Sequence, residues 1–228
     1  MAFISARENA YQLLRNRILH LDLAPGTVLN EKELADELEI SRTPVREAII
    51  MLSLANLVVV KPQSGTFVSR IDTEQLEMEQ FLRFTLEKEI LHGVSDVLKP
   101  SDRIRYDENI ELYRFYLKSQ SLNRGQQLLQ LDNEFHRIPF DIIGKQGYFD
   151  YIQAKLQHIE RLRTLSLKAF QDEQIAIDHE NIVNALFDKK IDVLDDCLKK
   201  HMNMYKEHLK TVYDMFPDYF EQKINGRS

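Results

Sequence analysis

The chain has one cysteine in 228 residues, Cys197. That excludes an intrachain disulfide and any thiolate metal cluster, and it leaves Cys197 to pack as a small hydrophobe. No apolar run approaches the length of a membrane span, no basic-then-apolar leader stands at the start, and no tract is of low complexity. A cytoplasmic protein without membrane contact is therefore expected. Positive charge is also in short supply: 30 basic and 36 acidic side chains give a net charge of −6, which ordinarily argues against polyanionic partners. The imbalance is uneven. Residues 1–70 carry 8 basic and 8 acidic side chains, leaving 22 basic and 28 acidic for the rest. A neutral N-terminal part can bind a polyanion only through the placement of its charges and through doubling in a dimer, and salt should weaken that binding steeply.

Residues 29–68 are the most patterned stretch. Asn30 followed by Glu33 is a capping pair that starts a helix with Leu34, Ala35 and Leu38 inward. After a turn at Ile40-Ser41, a second helix begins near Ser41 or Thr43, because Pro44 is tolerated only in a first helical turn. Its apolar stripe is Val45, Ala48, Ile49 and Leu52, which leaves Arg42, Thr43 and Arg46 outside near the helix start. Such a face suits a major groove, since arginine can take guanine O6 and N7 and threonine a phosphate or a thymine methyl. Val58–Val60 and Thr66–Val68 then predict two strands around the turn Pro62-Gln63-Ser64-Gly65. Lys61 and the backbone around Gly65 are placed to meet phosphates. Ahead of this stretch, Ser5 and Glu8 predict a capped helix running to about His20 with Ala10, Leu14 and Ile18 inward. The layout is a winged helix-turn-helix; a unit of this shape that docks on protein is the alternative.

From Thr73 the pattern changes to long helices near 73–97, 102–118, 123–142, 147–169, 173–188 and 192–214, with a loose end over 216–228. Pro139 should kink the third. The expected fold is mainly α, with a winged helix-turn-helix over 1–70 and an all-helical bundle of six to seven helices over 71–228. Ser69–Thr73 form a short joint between them.

Inside the bundle Asp132 and His136 stand four apart and share one helix face. His179 and His201 lie among apolar stripes on two later helices. Together they are three imidazoles and one carboxylate, a set suited to zinc, nickel, manganese or iron, or else a hydrogen-bonded polar core. His158 and His208 fall outside the set as surface or supporting residues.

The run PGTVLNEKELADELEISRTPVREAI, followed by SGTFV, resembles the DNA-binding domain of the GntR family of bacterial transcription regulators over residues 11–69. The resemblance implies that Lys32, Arg42, Arg46 and Gly65 face DNA. Lys32 stands where arginine is common and suits a phosphate. Asn56 stands where glycine is usual and tolerates the same left-handed turn. Residues 76–210 resemble the helical ligand-binding domain called FCD, of the FadR branch, and Asp132, His136, His179 and His201 match its four metal positions. Asp178 replaces a usual Glu, and Lys189-Lys190 and Gly144-Lys145 replace usual turn residues.

What the resemblance implies is one divalent transition metal per chain, with zinc first expected on purification. A small carboxylate effector would bind at the open coordination positions, with Arg83 and Arg163 as candidate partners because arginine offers bidentate geometry; the alternative for Arg83 is to pair with Glu87, one turn on. It also implies a homodimer on a palindromic double-stranded operator, most often as a repressor. A metal that only staples the bundle, or a bundle without metal, remains an alternative. Glu134 and Asp178 neighbour ligands in sequence and are expected to point away from them. No acid–base pair emerges, so catalysis is not expected.

Overall fold

A computed structural model of the chain describes residues 5–170 and 173–221. It divides into two compact units, one formed by the described residues up to Thr73 together with those from Tyr213 on, the other by Glu74–Val212.

In the first unit the Ser5 hydroxyl accepts the Glu8 N–H at 3.2 Å and starts α1 (Ala6–Leu19), which buries Ala10, Leu14 and Ile18. The Asn30 side chain accepts the N–H groups of Lys32 and Glu33 and starts α2 (Glu31–Glu37). Of the two caps considered for the next helix, Ser41 holds the position, but its hydroxyl makes no capping bond. Helix α3 (Arg42–Leu54) takes Pro44 in its first turn, where no intrahelical N–H is required. Val45, Ala48, Ile49 and Leu52 are buried, the three larger ones each worth about 1.5–3 kcal/mol of transfer from water. The chain leaves α3 through Asn56 at φ +58. Strands β1 (Val58–Lys61) and β2 (Gly65–Val68) pair antiparallel with Val58 opposite Val68, and Val28 bridges to Phe67 on the other edge of β2.

The expected loose end is corrected over its first residues; 222–228 lie outside the described residues. Pro217–Tyr219 form a 3-10 turn. The Ile71 N–H donates to the Tyr219 carbonyl at 2.8 Å, and the Glu221 N–H to the Ile71 carbonyl at 3.0 Å. Ile71 and Phe220 are both wholly buried. Burial of the Phe220 ring is the physical reason this stretch is folded.

The second unit is built from α4 (Thr73–Ser95), α5 (Pro100–Lys118), α6 (Arg124–Ile142), α7 (Gln146–Gln153), α8 (Gln157–Ala169), α9 (Gln174–Phe187) and α10 (Ile191–Met215), apart from Thr73 and the last residues of α10 from Tyr213 on, which count with the first. Its core gathers Ile90, Tyr106, Phe135, Ile182, Leu198 and Met202, among others. Pro139 sits in the last turn of α6. Cys197 is half-buried against this core, and burial pushes its thiol up.

The single helix expected over 147–169 is two helices. The break at 154–156 comes from a side chain distant in sequence. Glu79 of α4 turns its carboxylate onto the N–H groups of His158 and Ile159 at 2.8 and 2.9 Å, and so supplies the acceptors a new helix start needs. None of the described helices is long and apolar enough to cross a membrane.

Candidate functional site

Two groups of residues carry chemistry. The first is on the winged unit. Arg42, Thr43 and Arg46 are all exposed at the start of α3, whose first turn has no acidic residue, and Lys32 is exposed in the first turn of α2. Gly65 opens β2 at φ +123, a conformation that side-chain-bearing residues rarely adopt. Lys61 of the wing lies over the Phe67 ring at 5.5 Å. Arg46 is held in place: its Nε lies 3.1 Å from both Glu31 oxygens and its Nη2 2.9 Å from Oε2. The hydrogen bond from Arg46 keeps the Glu31 carboxyl below its ordinary pKa.

The second is in the bundle. Helices α6, α9 and α10 bring Asp132, His136, His179 and His201 together, with one ligand atom from each within 4.8 Å of all the others and all four residues buried. His136 Nε2 and His201 Nε2 face each other at 3.1 Å, and His179 Nε2 lies 3.2 Å from Asp132 Oδ1. The His179 ring lies flat on Phe135 at 3.6 Å, which fixes its plane. Neither His179 nitrogen makes an aligned hydrogen bond. Buried polar atoms left this way are costly unless something else engages them. Burial pushes the His179 imidazole down to about 4 and, with the two neighbouring imidazoles, pushes His201 well below its ordinary value. Burial alone would raise Asp132, yet Arg163 and the imidazoles hold its carboxyl well below the usual range. The His179 and His201 imidazoles, held neutral beside an ionised carboxylate, have the protonation that a divalent cation requires, so the residues fit a metal.

A shell of partners surrounds the four. Glu87 Oε2 accepts from His136 Nδ1 at 2.6 Å, a bond that directs Nε2 toward the cluster. The other Glu87 oxygen accepts from Arg83 Nε at 2.8 Å. Arg163 Nη2 contacts Asp132 Oδ2, and its Nη1 donates to Asn133 Oδ1 at 2.8 Å. The two arginines named from the sequence thus both reach the cluster, each already joined to a carboxylate. They line one cavity of about 80 Å³ together with Asp132 and His201, several times the roughly 10–15 Å³ that one water needs.

Sequence reasoning passed over part of this shell. Glu87 registered only as a partner for Arg83, and Glu79 and Gln80 did not register at all. The signal was present: Leu76, Glu79, Gln80, Arg83, Glu87, Ile90 and Val94 form one buried helical stripe whose middle is polar. One expectation is corrected. Asp178 does not point away; it is buried, with Oδ2 4.0 Å from His201 Nδ1, because a step of one residue on α9 turns it toward α10. Of the two places expected for His158, surface or supporting, it takes the second: it is buried, and its backbone N–H is drawn onto Glu79. Glu134 is exposed, as expected.

Comparison with known proteins identifies the two domains. The profile described as "Bacterial regulatory proteins, gntR family" matches residues 6–68, and that of the FCD domain matches residues 80–204. The chain belongs to the GntR family of transcription regulators, in its FCD branch. The HTH-type transcriptional repressor RspR of Escherichia coli is 26% identical over 217 residues, covering 95% of this chain and 94% of RspR. A Streptomyces ambofaciens HTH-type transcriptional regulator in an unstable DNA locus is 30% identical over 94% of this chain and 89% of its own. The E. coli McbR/YncC structure superposes with a TM-score of 0.73 at 20% identity, covering 94% of this chain and 100% of that one. For this GntR-family regulator the helix-turn-helix and the FCD bundle therefore account for nearly all of the described chain.

Proposed function

We propose that this regulator is a homodimeric, metal-containing repressor that works in the cytoplasm and is released from its operator by a small organic acid. The observation that carries the reading is the buried Asp132, His136, His179 and His201 set beside a cavity lined by Arg83 and Arg163. A bound divalent ion, zinc foremost among zinc, nickel, manganese and iron, would supply a Lewis-acidic position for a carboxylate oxygen. Glu87 holds the His136 ring so that Nε2 points into the cluster and would be free to ligate, and Asn133 and Asp132 hold the Arg163 fork. Arg83 offers its Nη2, which makes no hydrogen bond in the protein. On the winged unit Arg42, Thr43 and Arg46 enter the major groove of each half of a palindromic operator, while Lys32 and the turn at Gly65 meet its backbone. The acid lowers operator affinity by binding more tightly to the arrangement that misplaces the two reading helices.

The test is metal content by elemental analysis of wild type and His201→Ala, followed by operator binding of the metal-loaded protein with and without candidate acids. Near one ion per chain, lost in the variant, with an acid-dependent fall in operator affinity supports the reading. A full metal complement with no response to any acid supports a second reading, in which the ion staples α6, α9 and α10. That reading is favoured by one observation, that both arginines already have carboxylate partners.

A further inference from the structure

We infer that the effector is a small monocarboxylate with an apolar body, a short hydrocarbon chain or a single ring, and not a polyhydroxy acid or a di- or tricarboxylate. This deepens the effector-site reading above and rests on it.

Three observations carry it. The first is the layout of the cavity. Arg163 on α8 and His201 on α10 lie at the Asp/His cluster, and His208, seven residues further along α10, stacks at 4.0 Å on Phe170, the extended residue that follows α8. The cavity is thus bounded by the cluster at one end and by that ring pair roughly 10 Å away at the other, given the helical rise. A body of about six carbons or one ring spans that roughly 10 Å.

The second is charge. Arg163 is joined to Asp132, and the Nε of Arg83 to Glu87, which leaves Arg83 Nη2 as a buried donor with no hydrogen bond. One carboxylate answers one such donor and one bound ion. A second or third carboxylate would enter buried without a partner cation, which a low-dielectric site opposes strongly.

The third is the wall. Away from the cluster the cavity is bounded chiefly by Leu117, Leu129, Leu167, Phe170, Ile175 and Met204, with Ser166, Tyr205 and His208 as its polar exceptions. A hydroxyl buried among such side chains without a partner weakens binding by about 5- to 150-fold, and a sugar acid carries several. Gln80 Oε1 makes no hydrogen bond and lines the same cavity, so one hydroxyl close to the carboxylate is accommodated.

The experiment is calorimetric titration of the full-length, zinc-loaded protein with acetate, hexanoate, phenylacetate, gluconate and citrate. Affinity should rise at least tenfold from acetate to hexanoate and to phenylacetate, about fourfold for each methylene buried, with gluconate and citrate no tighter than acetate. Ile175→Thr, a change at a half-buried wall position, should lower the hexanoate-to-acetate ratio several-fold. Equal binding of acetate and hexanoate, tightest binding of gluconate or citrate, or an unchanged ratio in the variant overturns the inference and leaves the carboxylate site standing. If none of the five acids binds, the effector-site reading falls with it.

Discussion

Arg46 and Glu31 are joined by a two-pronged ion pair across the helix-turn-helix, with Nε and Nη2 gripping both carboxylate oxygens at 2.9–3.1 Å. Glu31 thereby aims a guanidinium that would otherwise sample many rotamers, and it also sets an anion beside the surface proposed to meet DNA. Glu31→Gln should therefore raise affinity for random DNA while narrowing the ratio of operator to random binding. Arg46→Ala should lower operator binding by about 5- to 150-fold, the range of one lost base contact, with little change on random sequence. Fluorescence anisotropy on both DNAs at two salt concentrations separates these effects. Equal losses on both would show that Arg46 meets phosphate and reads no base.

Glu87 carries a double load, orienting His136 through one oxygen and holding Arg83 through the other. Replacing it with glutamine keeps the volume but puts an amide where an acceptor is needed. Metal affinity should fall about 10- to 100-fold, the usual effect of removing a ligand's outer partner. Competition with a chelator of known strength measures this directly. Unchanged affinity in Glu87→Gln would mean that His136 is oriented by packing alone.

The reading unit was legible because its signals are local. The Asn30 cap, Pro44 in a first turn, Asn56 at a left-handed position and the period of the apolar stripes all act within a few residues. The four-residue cluster was legible for a different reason, since Asp132 and His136 share a helix face and the other two histidines sit on apolar stripes. What escaped notice depends on partners far away in sequence. Helix α8 starts where it does because Glu79 caps it from α4. Glu79, Gln80 and Glu87 look like ordinary surface residues of a long helix until their spacing is laid beside that of Leu76, Ile90 and Val94.

The residues after Met215 belong to the same class, with Phe220 buried against the winged unit and paired through its neighbours' backbone to Ile71. Phe220→Ala should destabilise that unit by about 3–5 kcal/mol, the cost of emptying a fully buried aromatic site. Denaturant unfolding of wild type and variant, followed by operator binding at low temperature, reads the loss. A change under about 0.5 kcal/mol, the scale of an exposed substitution, would mean that this stretch lies loosely on the surface.

Glu79 gives the bundle a pH dependence of definite sign. Desolvation raises its carboxyl from the ordinary value to about 7, against the opposing effect of the backbone N–H groups it accepts from and of Arg161 nearby. Between the ordinary value near 4.5 and about 7 the folded protein holds a proton that the unfolded chain has released. The associated stability is thus complete below the lower value and is lost as pH rises through the upper one. The difference amounts to at most about 3 kcal/mol. Glu79→Gln keeps an oxygen for the His158 and Ile159 N–H groups and cannot ionise, so its unfolding midpoint should fall less than that of wild type between pH 5 and 8. Parallel pH profiles for the two proteins would show that Glu79 titrates like a carboxyl in water and that its cap on α8 is ionised throughout.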